Sequence, residues 1–239
     1  APDSGQPPQA VVLVSIDAFR ADYLSPRTTP NLARIAREGT RADWMNPSYP
    51  ALTFPNHYTL ATGLRPDHHG VIHNRMNDAG IGDFAVADRS SVDDGRWWGG
   101  EPIWVTAEKQ GVRSASWAWP GSSAAIAGVR PSRWVAYDEA VLPARRIDDV
   151  LGWLDAPQPQ RPRLIAVCFE QLDKAGHDFG PQSVQVKRTL GELDAVIGRL
   201  HDGLAARGLL DSTDLIVVSD HGMARVAPDH VIGVEQMIA

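Results

Sequence analysis

The chain has 239 residues, of which 43% are hydrophobic and 22% charged, and its formal net charge is −6. This is an ordinary composition for a globular protein with one large core or two small ones. Because lysine and arginine are not in excess, the chain lacks the charge that proteins use to neutralise nucleic-acid backbones. Its apolar runs are far shorter than the ~20 residues that cross a bilayer. The composition therefore argues against a nucleic-acid duplex as partner and against a membrane-spanning segment.

The first half of the chain begins with a polar, proline-rich stretch over residues 1–9, which we expect to be a flexible leader. A buried strand is predicted over residues 10–17 by its length and β-branched content. A helix is predicted in "NLARIAREG", with Thr29 as its cap, Pro30 at its first position and Gly39 as its end. Residues 78–100 are rich in Asp and Gly and lack periodicity, so we expect a loop or a small insert there.

The second half alternates helices with strands. A helix is predicted over residues 145–155, a strand over 163–173, a helix over 189–208 and a strand over 214–222. This alternation indicates an α/β fold with a mostly parallel central sheet and helices on both faces. We expect a single domain over residues 1–239. The closing "DHVIGVEQMIA" has the pattern of a beginning strand or helix, so the domain is expected to continue beyond it.

Each of the three predicted strands ends in an aspartate, at Asp17, Asp173 and Asp220. Ligands of parallel α/β sheets bind at the carboxyl ends of the strands, so these carboxylates are expected to converge. His177 and His221 follow two of them, and a mixture of carboxylate and imidazole ligands suits zinc or a similar divalent ion. Five such groups are too many for one tetrahedral ion. The pattern therefore predicts a two-metal crevice, which suits in-line displacement at phosphorus.

Four histidines lie in the stretch "NPSYPALTFPNHYTLATGLRPDHHGVIHN", residues 46–74. They have no carboxylate at ligand spacing, and we interpret them as hydrogen-bonded scaffold rather than metal ligands. Cys168 is the single cysteine, and its apolar surroundings in the sequence predict a small buried side chain. The four histidines are His57, His68, His69 and His73.

Several segments, in order along nearly the whole chain, resemble the nucleotide pyrophosphatase/phosphodiesterase family of the alkaline phosphatase superfamily. The resemblance implies an alkaline-phosphatase-like catalytic domain with two Zn²⁺ ions and a periplasmic or extracellular location, although no signal peptide is present in the sequence. The matching segments are "SIDAFRADYL", "TPNLARIAREG", "NPSYPALTFPNHYTLATGLRPDHHGVIHN", "WPGS", "DKAGHDFGP" and "SDHGM".

The same resemblance implies a role for each matching residue. One zinc ion would be bound by Asp17, Thr53, Asp220 and His221, and the other by Asp173 and His177. The family takes one further histidine for the second ion from far downstream, and that histidine is not in this sequence.

Thr53 would then be the catalytic nucleophile, activated by coordination to zinc. The residues after it have the pattern of a helix entry, where the helix dipole favours phosphate oxygens. The resemblance also implies that Asn74 donates a hydrogen bond to a phosphate oxygen and that Phe54 and Tyr137 sandwich a nucleobase.

The implied reaction is hydrolysis of a nucleotide phosphodiester or pyrophosphate bond through a covalent threonine intermediate, which yields a nucleoside 5′-monophosphate. A phosphodiesterase acting on lysophospholipid or choline-phosphate esters is an alternative, because aromatic side chains also bind quaternary ammonium groups. A phosphomonoesterase or a phosphonate hydrolase is less favoured. A sulfatase is disfavoured because Thr53 stands at the nucleophile position with no cysteine near it. A catalytically inactive binding module predicts lost ligands, whereas all five carboxylate and imidazole ligands are present.

Overall fold

A computed structural model of the protein describes residues 10–227, 230 and 233. The leader predicted over residues 1–9 lies outside the described residues, and so does nearly all of the element predicted at the end of the sequence. The described part contains seven strands, which are β1 (Ala10–Ile16), β2 (Arg75–Asp78), β3 (Gly82–Ala85), β4 (Ser114–Trp117), β5 (Arg133–Val135), β6 (Leu164–Phe169) and β7 (Thr213–Val218). Its α-helices are α1 (Pro30–Glu38), α2 (Thr53–Thr62), α3 (Pro66–His69), α4 (Arg89–Val92), α5 (Ile103–Lys109), α6 (Pro143–Leu154), α7 (Gln171–Phe179) and α8 (Val184–Ala206).

Five strands form one sheet in the order β5-β4-β6-β1-β7, and every pairing in it is parallel. β1 lies between β6 and β7, with Ser15 paired to Cys168 on one side and to Val218 on the other. The predicted mostly parallel sheet is therefore confirmed. β2 and β3 form a separate antiparallel hairpin, which accounts for part of the predicted insert.

Helices cover both faces of the sheet, as the sequence predicts. Along β1, Val12, Val14 and Ile16 belong to one buried cluster, which also contains apolar residues of α1, α6 and α8. Leu13 points to the opposite face and belongs to a second cluster with residues of α2 and α5. Strands buried on both faces read as continuous apolar runs, and this is why β1 is recognisable in the sequence.

The boundaries of three predicted elements are wrong, and one of them is β7, which ends at Val218, four residues before the predicted end. β6 ends at Phe169, so Asp173 does not end a strand but lies in the first turn of α7. The buried residues of α7 include Leu172 and Ala175, three apart, which is helical rather than strand spacing. α8 begins at Val184, five residues before the predicted start, and the Ser183 side chain caps it by accepting a hydrogen bond from the Val186 N–H.

The strands β4 and β5 are absent from the sequence-based prediction. They have only four and three residues, and β4 reads "SASW", without the β-branched run of the central strands. Their place in the sheet is fixed by pairing, since Ala115 of β4 lies opposite Ile165 of β6 and Arg133 of β5. Short strands of this kind depend on their neighbours rather than on their own propensity.

The first turn of α1 is capped by a residue distant in sequence. Thr29 occupies the predicted cap position, but its hydroxyl makes no capping hydrogen bond. Instead, the buried carboxylate of Asp194 in α8 accepts hydrogen bonds from the backbone N–H groups of Asn31 and Leu32, at 3.0 and 2.9 Å. A carboxylate there also interacts favourably with the helix dipole.

Replacing Asp194 by alanine is expected to lower the free energy of unfolding by about 2–4 kcal/mol, because it leaves two N–H groups of α1 without an acceptor in a buried place. Chemical denaturation at neutral pH measures the loss. Asp194→Asn retains one acceptor oxygen and should lose clearly less. Equal stability of the alanine variant and the wild type would contradict this role.

Candidate active site

The carboxyl ends of neighbouring strands bring the predicted site residues together. Asp17 directly follows β1, and Asp220 and His221 follow β7 after one further residue. Asp173 lies one turn into α7, the helix that follows β6, and Thr53 is the first residue of α2. Because β1 is paired with both β6 and β7, their following segments meet at one edge of the sheet.

His221 lies at the centre of this group. Its Nε2 atom is 3.1 Å from Asp220 Oδ2, 3.5 Å from Asp17 Oδ1 and 3.5 Å from Thr53 Oγ1. The ligand atoms of Asp17, Asp173 and His221 all lie within 4.8 Å of one another. The threonine hydroxyl is thus next to a compact group of carboxylates and imidazole.

His177 stands at the rim of the site. It follows Asp173 by one helical turn of α7, and its Nε2 lies 3.5 Å from Asp173 Oδ1. Its side chain is 72% exposed, whereas that of Asp173 is 19% exposed. The D-x-x-x-H spacing therefore places both side chains on one face of a helix, although the sequence-based interpretation puts the aspartate at the end of a strand.

Three carboxylate oxygens in the site are buried and accept no hydrogen bond from the described residues. They are Asp17 Oδ1, Asp173 Oδ1 and Asp220 Oδ2. Buried acceptors of this kind are costly unless a partner compensates for lost hydration. Burial, and next the nearby carboxylate of Asp220, raise the pKa of Asp17 well above its ordinary value. Carboxylate oxygens without a hydrogen-bond donor, together with an imidazole, form a ligand set that fits a divalent cation.

The helix that begins at Thr53 confirms the predicted helix entry. Thr53 is the first helical residue after Leu52, so its side chain lies at the positive end of the α2 dipole. The next N–H, that of Phe54, donates a hydrogen bond to Asn74 Oδ1 at 3.1 Å. This bond fixes the Asn74 amide beside the helix end. The predicted phosphate donor and the predicted nucleophile are therefore neighbours.

Phe54 and Tyr137, the two aromatic residues predicted to stack on a nucleobase, have different surroundings, and no aromatic pair between them occurs among the described residues. Phe54 is half-buried, and its ring centroid lies 6.0 Å from those of Phe84 and Trp98. Tyr137 follows β5 and is 53% exposed. The base sandwich stays a prediction.

The four histidines of residues 46–74 have different environments. His68 and His73 are exposed, whereas His57 and His69 are fully buried. For His57 the sequence-based interpretation, that no carboxylate lies at ligand spacing, misses a contact between distant residues. Asp220 Oδ2 lies 3.3 Å from His57 Nδ1. The sequence signal for this contact is the spacing of four residues, since it places His57 on the same face of α2 as Thr53.

His69 is a structural histidine that stays neutral. Its Nδ1 accepts a hydrogen bond from the Val71 N–H at 3.2 Å, and its Nε2 lies 3.0 Å from Thr59 Oγ1. Burial lowers the pKa of His69 from its ordinary value of 6.5 to about 4. Protonation would remove the acceptor that Val71 uses, so the folded state resists it.

The stability of the fold should consequently decrease as the pH falls. Below about pH 6.5 the unfolded chain protonates His69 while the folded chain does not until about pH 4, so acid favours unfolding across that window. We expect the wild type to lose about 2 kcal/mol more unfolding free energy between pH 7 and pH 5 than His69→Asn, which retains an acceptor near Nδ1. Urea titrations at both pH values measure it; parallel losses in the two proteins would contradict the assignment.

Comparison with known proteins places the chain in a family. The family model for type I phosphodiesterase/nucleotide pyrophosphatase matches residues 11–239. Ectonucleotide pyrophosphatase/phosphodiesterase family member 3 of Bos taurus is 40% identical over 215 residues, which cover 89% of this chain and 25% of that protein. An uncharacterized pyrophosphatase/phosphodiesterase of Schizosaccharomyces pombe is 39% identical over 229 residues, 95% of this chain and 47% of that protein.

A solved structure supports the same relationship. An inactive variant of murine ectonucleotide pyrophosphatase/phosphodiesterase 5, in complex with AMP, superposes with a TM-score of 0.88 at 31% identity, covering 95% of this chain and 61% of that one. The chain therefore belongs to the type I phosphodiesterase/nucleotide pyrophosphatase family of hydrolases, with its alkaline-phosphatase-like fold. It spans a quarter to a half of the length of the curated relatives cited here. Among the described helices, none combines the length and apolar character that a bilayer crossing requires.

Proposed function

We propose that the protein is a two-zinc phosphodiesterase and nucleotide pyrophosphatase that releases nucleoside 5′-monophosphates through a covalent intermediate on Thr53. The observation that carries this proposal is the position of the Thr53 hydroxyl. It lies at the positive end of α2 and 3.5 Å from His221, beside buried carboxylate oxygens that accept no hydrogen bond from the described residues.

Six side chains would hold the metal ions. Bound zinc would lower the pKa of a coordinated hydroxyl group and stabilise negative charge on phosphate oxygens. The chain's own contribution is to hold one oxygen each of Asp17, Asp173 and Asp220 in a buried place where no described residue donates a hydrogen bond to it. One ion would be held by Asp17, Thr53, Asp220 and His221, and the other by Asp173 and His177.

Thr53 would begin the reaction by attacking phosphorus. A new bond forms from Oγ1 to phosphorus as the hydroxyl proton passes to solvent and the bond to pyrophosphate or to an alcohol oxygen breaks, which leaves a nucleotidyl-threonine. The Asn74 amide, fixed by the Phe54 N–H, would donate to a phosphoryl oxygen as charge develops. The dipole of α2 favours the same charge.

Water would complete the reaction from the side of Asp173 and His177. Its oxygen attacks phosphorus, the bond to Oγ1 breaks, and Thr53 recovers its proton as the nucleoside 5′-monophosphate leaves. Two in-line displacements give net retention at phosphorus. The nucleobase would be held between Phe54, which is half-buried, and Tyr137, which is exposed.

The relatives support this choice of substrate. The murine structure is described as an inactive threonine-to-alanine variant in complex with AMP, which is a nucleoside 5′-monophosphate. Relatives that are 38–40% identical include a venom phosphodiesterase of Crotalus durissus collilineatus and ectonucleotide pyrophosphatases. We accordingly infer an extracellular or periplasmic location for the protein.

A substrate comparison in the presence of zinc tests the proposal. ATP and the p-nitrophenyl ester of a nucleoside 5′-monophosphate should be hydrolysed with release of the monophosphate, and glycerophosphocholine should react far more slowly. Preference for glycerophosphocholine would support a choline-phosphate phosphodiesterase instead. Binding of less than one zinc ion per chain, with no hydrolysis, would indicate a binding module.

A further inference from the structure

A single buried side chain of α2 contacts β1, β6 and the segment after β7, beside the candidate site. His57 has no exposed surface. It lies on α2, one turn after the nucleophile, and its Nδ1 is 2.9 Å from the carbonyl oxygen of Thr53 and 3.3 Å from Asp220 Oδ2, beyond β7. Its Nε2 is 2.8 Å from Ser15 Oγ on β1 and 3.2 Å from Cys168 Sγ on β6.

The partner of Nδ1 fixes the role of that nitrogen. A backbone carbonyl only accepts hydrogen bonds, so Nδ1 carries a proton whether the imidazole is neutral or charged. The same N–H faces the Asp220 carboxylate, and a protonated nitrogen cannot bind a metal. Nδ1 is therefore not a metal ligand, and Nε2 faces Ser15 and Cys168 instead, although a ring nitrogen of His57 lies within 4.8 Å of carboxylate oxygens of Asp17 and Asp220.

The ring is held from its other sides as well. Trp119 lies edge-on to the imidazole with centroids 5.3 Å apart, and its Nε1 donates to the His57 carbonyl oxygen at 3.0 Å. Ser15 and Cys168 are paired residues of adjacent strands, and both are small and buried. Their size leaves room for the imidazole between α2 and the sheet, and their O–H and S–H groups both suit Nε2.

Asp220 depends on this arrangement more than the other carboxylates of the site. Its Oδ1 accepts a hydrogen bond from the Ala18 N–H at 3.2 Å, where the chain adopts a positive φ of 60° directly after Asp17. Its Oδ2 accepts no hydrogen bond from any residue that the structure describes, and it lies between His57 Nδ1, at 3.3 Å, and His221 Nε2, at 3.1 Å. The N–H of His57 is thus the fixed positive group that faces this oxygen from the protein interior.

We propose that His57 is a positioning residue: its Nδ1–H donates to the Thr53 carbonyl oxygen and faces Asp220, and it thereby keeps the Thr53 end of α2 and Asp220 in the geometry that zinc requires. The inference rests on the proposed function, because it assigns a purpose to the arrangement of the same site. Residues that orient metal ligands from behind commonly change metal affinity by 10–100-fold when replaced.

Two amide substitutions separate the two ring nitrogens. Asparagine places its side-chain nitrogen near the position of Nδ1, whereas glutamine reaches the position of Nε2. We expect His57→Asn to keep zinc affinity within about threefold of the wild type and His57→Gln to lose at least about tenfold. Zinc affinity is measured by competition with a chromogenic chelator. The kcat for a nucleotide ester should fall in the same order with little change in KM.

A purely space-filling role predicts a different result, since glutamine is closer to histidine in volume and should then be the better replacement. Equal losses in both variants, or wild-type affinity in both, would overturn the proposal. Ser15→Ala and Cys168→Ala each remove one partner of Nε2 and leave the His57 side chain itself unchanged, so they test the proposal independently. Both should bind zinc within about threefold of the wild type, and a tenfold loss in either would also overturn it.

The two proposals can fail separately. A wild type that binds zinc but hydrolyses no nucleotide ester contradicts the proposed function, while the order of zinc affinities still decides the role of His57. A wild type that hydrolyses nucleotide esters, together with a His57→Gln variant of unchanged zinc affinity, contradicts only the role of His57. A wild type that binds no zinc contradicts both.

Discussion

Replacing Thr53 by alanine is expected to lower the turnover of nucleotide esters by at least about 10³-fold while leaving the fold unchanged. The variant has no oxygen to attack phosphorus, and the other groups of the site cannot form the covalent intermediate. The loss should appear in kcat, measured with the p-nitrophenyl ester of a nucleoside 5′-monophosphate. Thr53 is only partly buried at the start of α2, so removing its hydroxyl creates little unfilled space in the core.

Thr53→Ser is the matched control, because it keeps the hydroxyl and removes one methyl group. It should retain much more activity than the alanine variant and should form a nucleotidyl-enzyme that can be trapped at low pH and detected by mass spectrometry. Circular dichroism and zinc content should be close to those of the wild type in both variants. An alanine variant with more than a tenth of the wild-type turnover would exclude Thr53 as the nucleophile.

Replacing Asp17 by asparagine is expected to have opposite effects on the metal-free and the zinc-loaded protein. Without metal, the buried carboxylate of Asp17 is destabilising, because burial and the charge of Asp220 raise its pKa well above the ordinary value. Its neutral replacement should raise the melting temperature of the metal-free protein at pH 8 by a few degrees, roughly what 1–2 kcal/mol produces in a domain of this size. With zinc, the variant should lose most of the stabilisation that the wild type gains.

Thermal melts with a chelator and with excess zinc measure both effects. The sign follows from linkage: a carboxyl with a raised folded-state pKa binds more protons when folded, so its destabilising effect grows as the pH rises above the unfolded value. Asp211, which is exposed, provides the control, and Asp211→Asn should leave both melts unchanged. A zinc-induced shift in Asp17→Asn as large as in the wild type would remove Asp17 from the metal ligands.

The sequence by itself was sufficient for the central part of the fold and for the segments that carry the site. β1 is buried on both faces, so it reads as a short continuous apolar run that ends next to Asp17. α8 was recognisable from its apolar stripe. One face of this long helix is buried, with Leu190, Leu193 and Ile197 on it, and burial of one face requires apolar residues at helical spacing. The resemblance to the family rests on motifs of consecutive residues, so it can be recognised without knowing which residues are in contact in the folded protein.

Tertiary structure alone decided how these segments combine. Asp173 stands on α7 rather than at a strand end, because the chain turns directly after Phe169, and the single apolar residue between Phe169 and Asp173, Leu172, does not distinguish a strand period from a helical one. The strands β4 and β5 exist through pairing, and the cap of α1 comes from Asp194, 163 residues from Asn31. The contact of His57 with Asp220 likewise depends on where α2 crosses the sheet. Sequence patterns record local periodicity, whereas contacts between distant segments arise only when the sheet order brings their ends together.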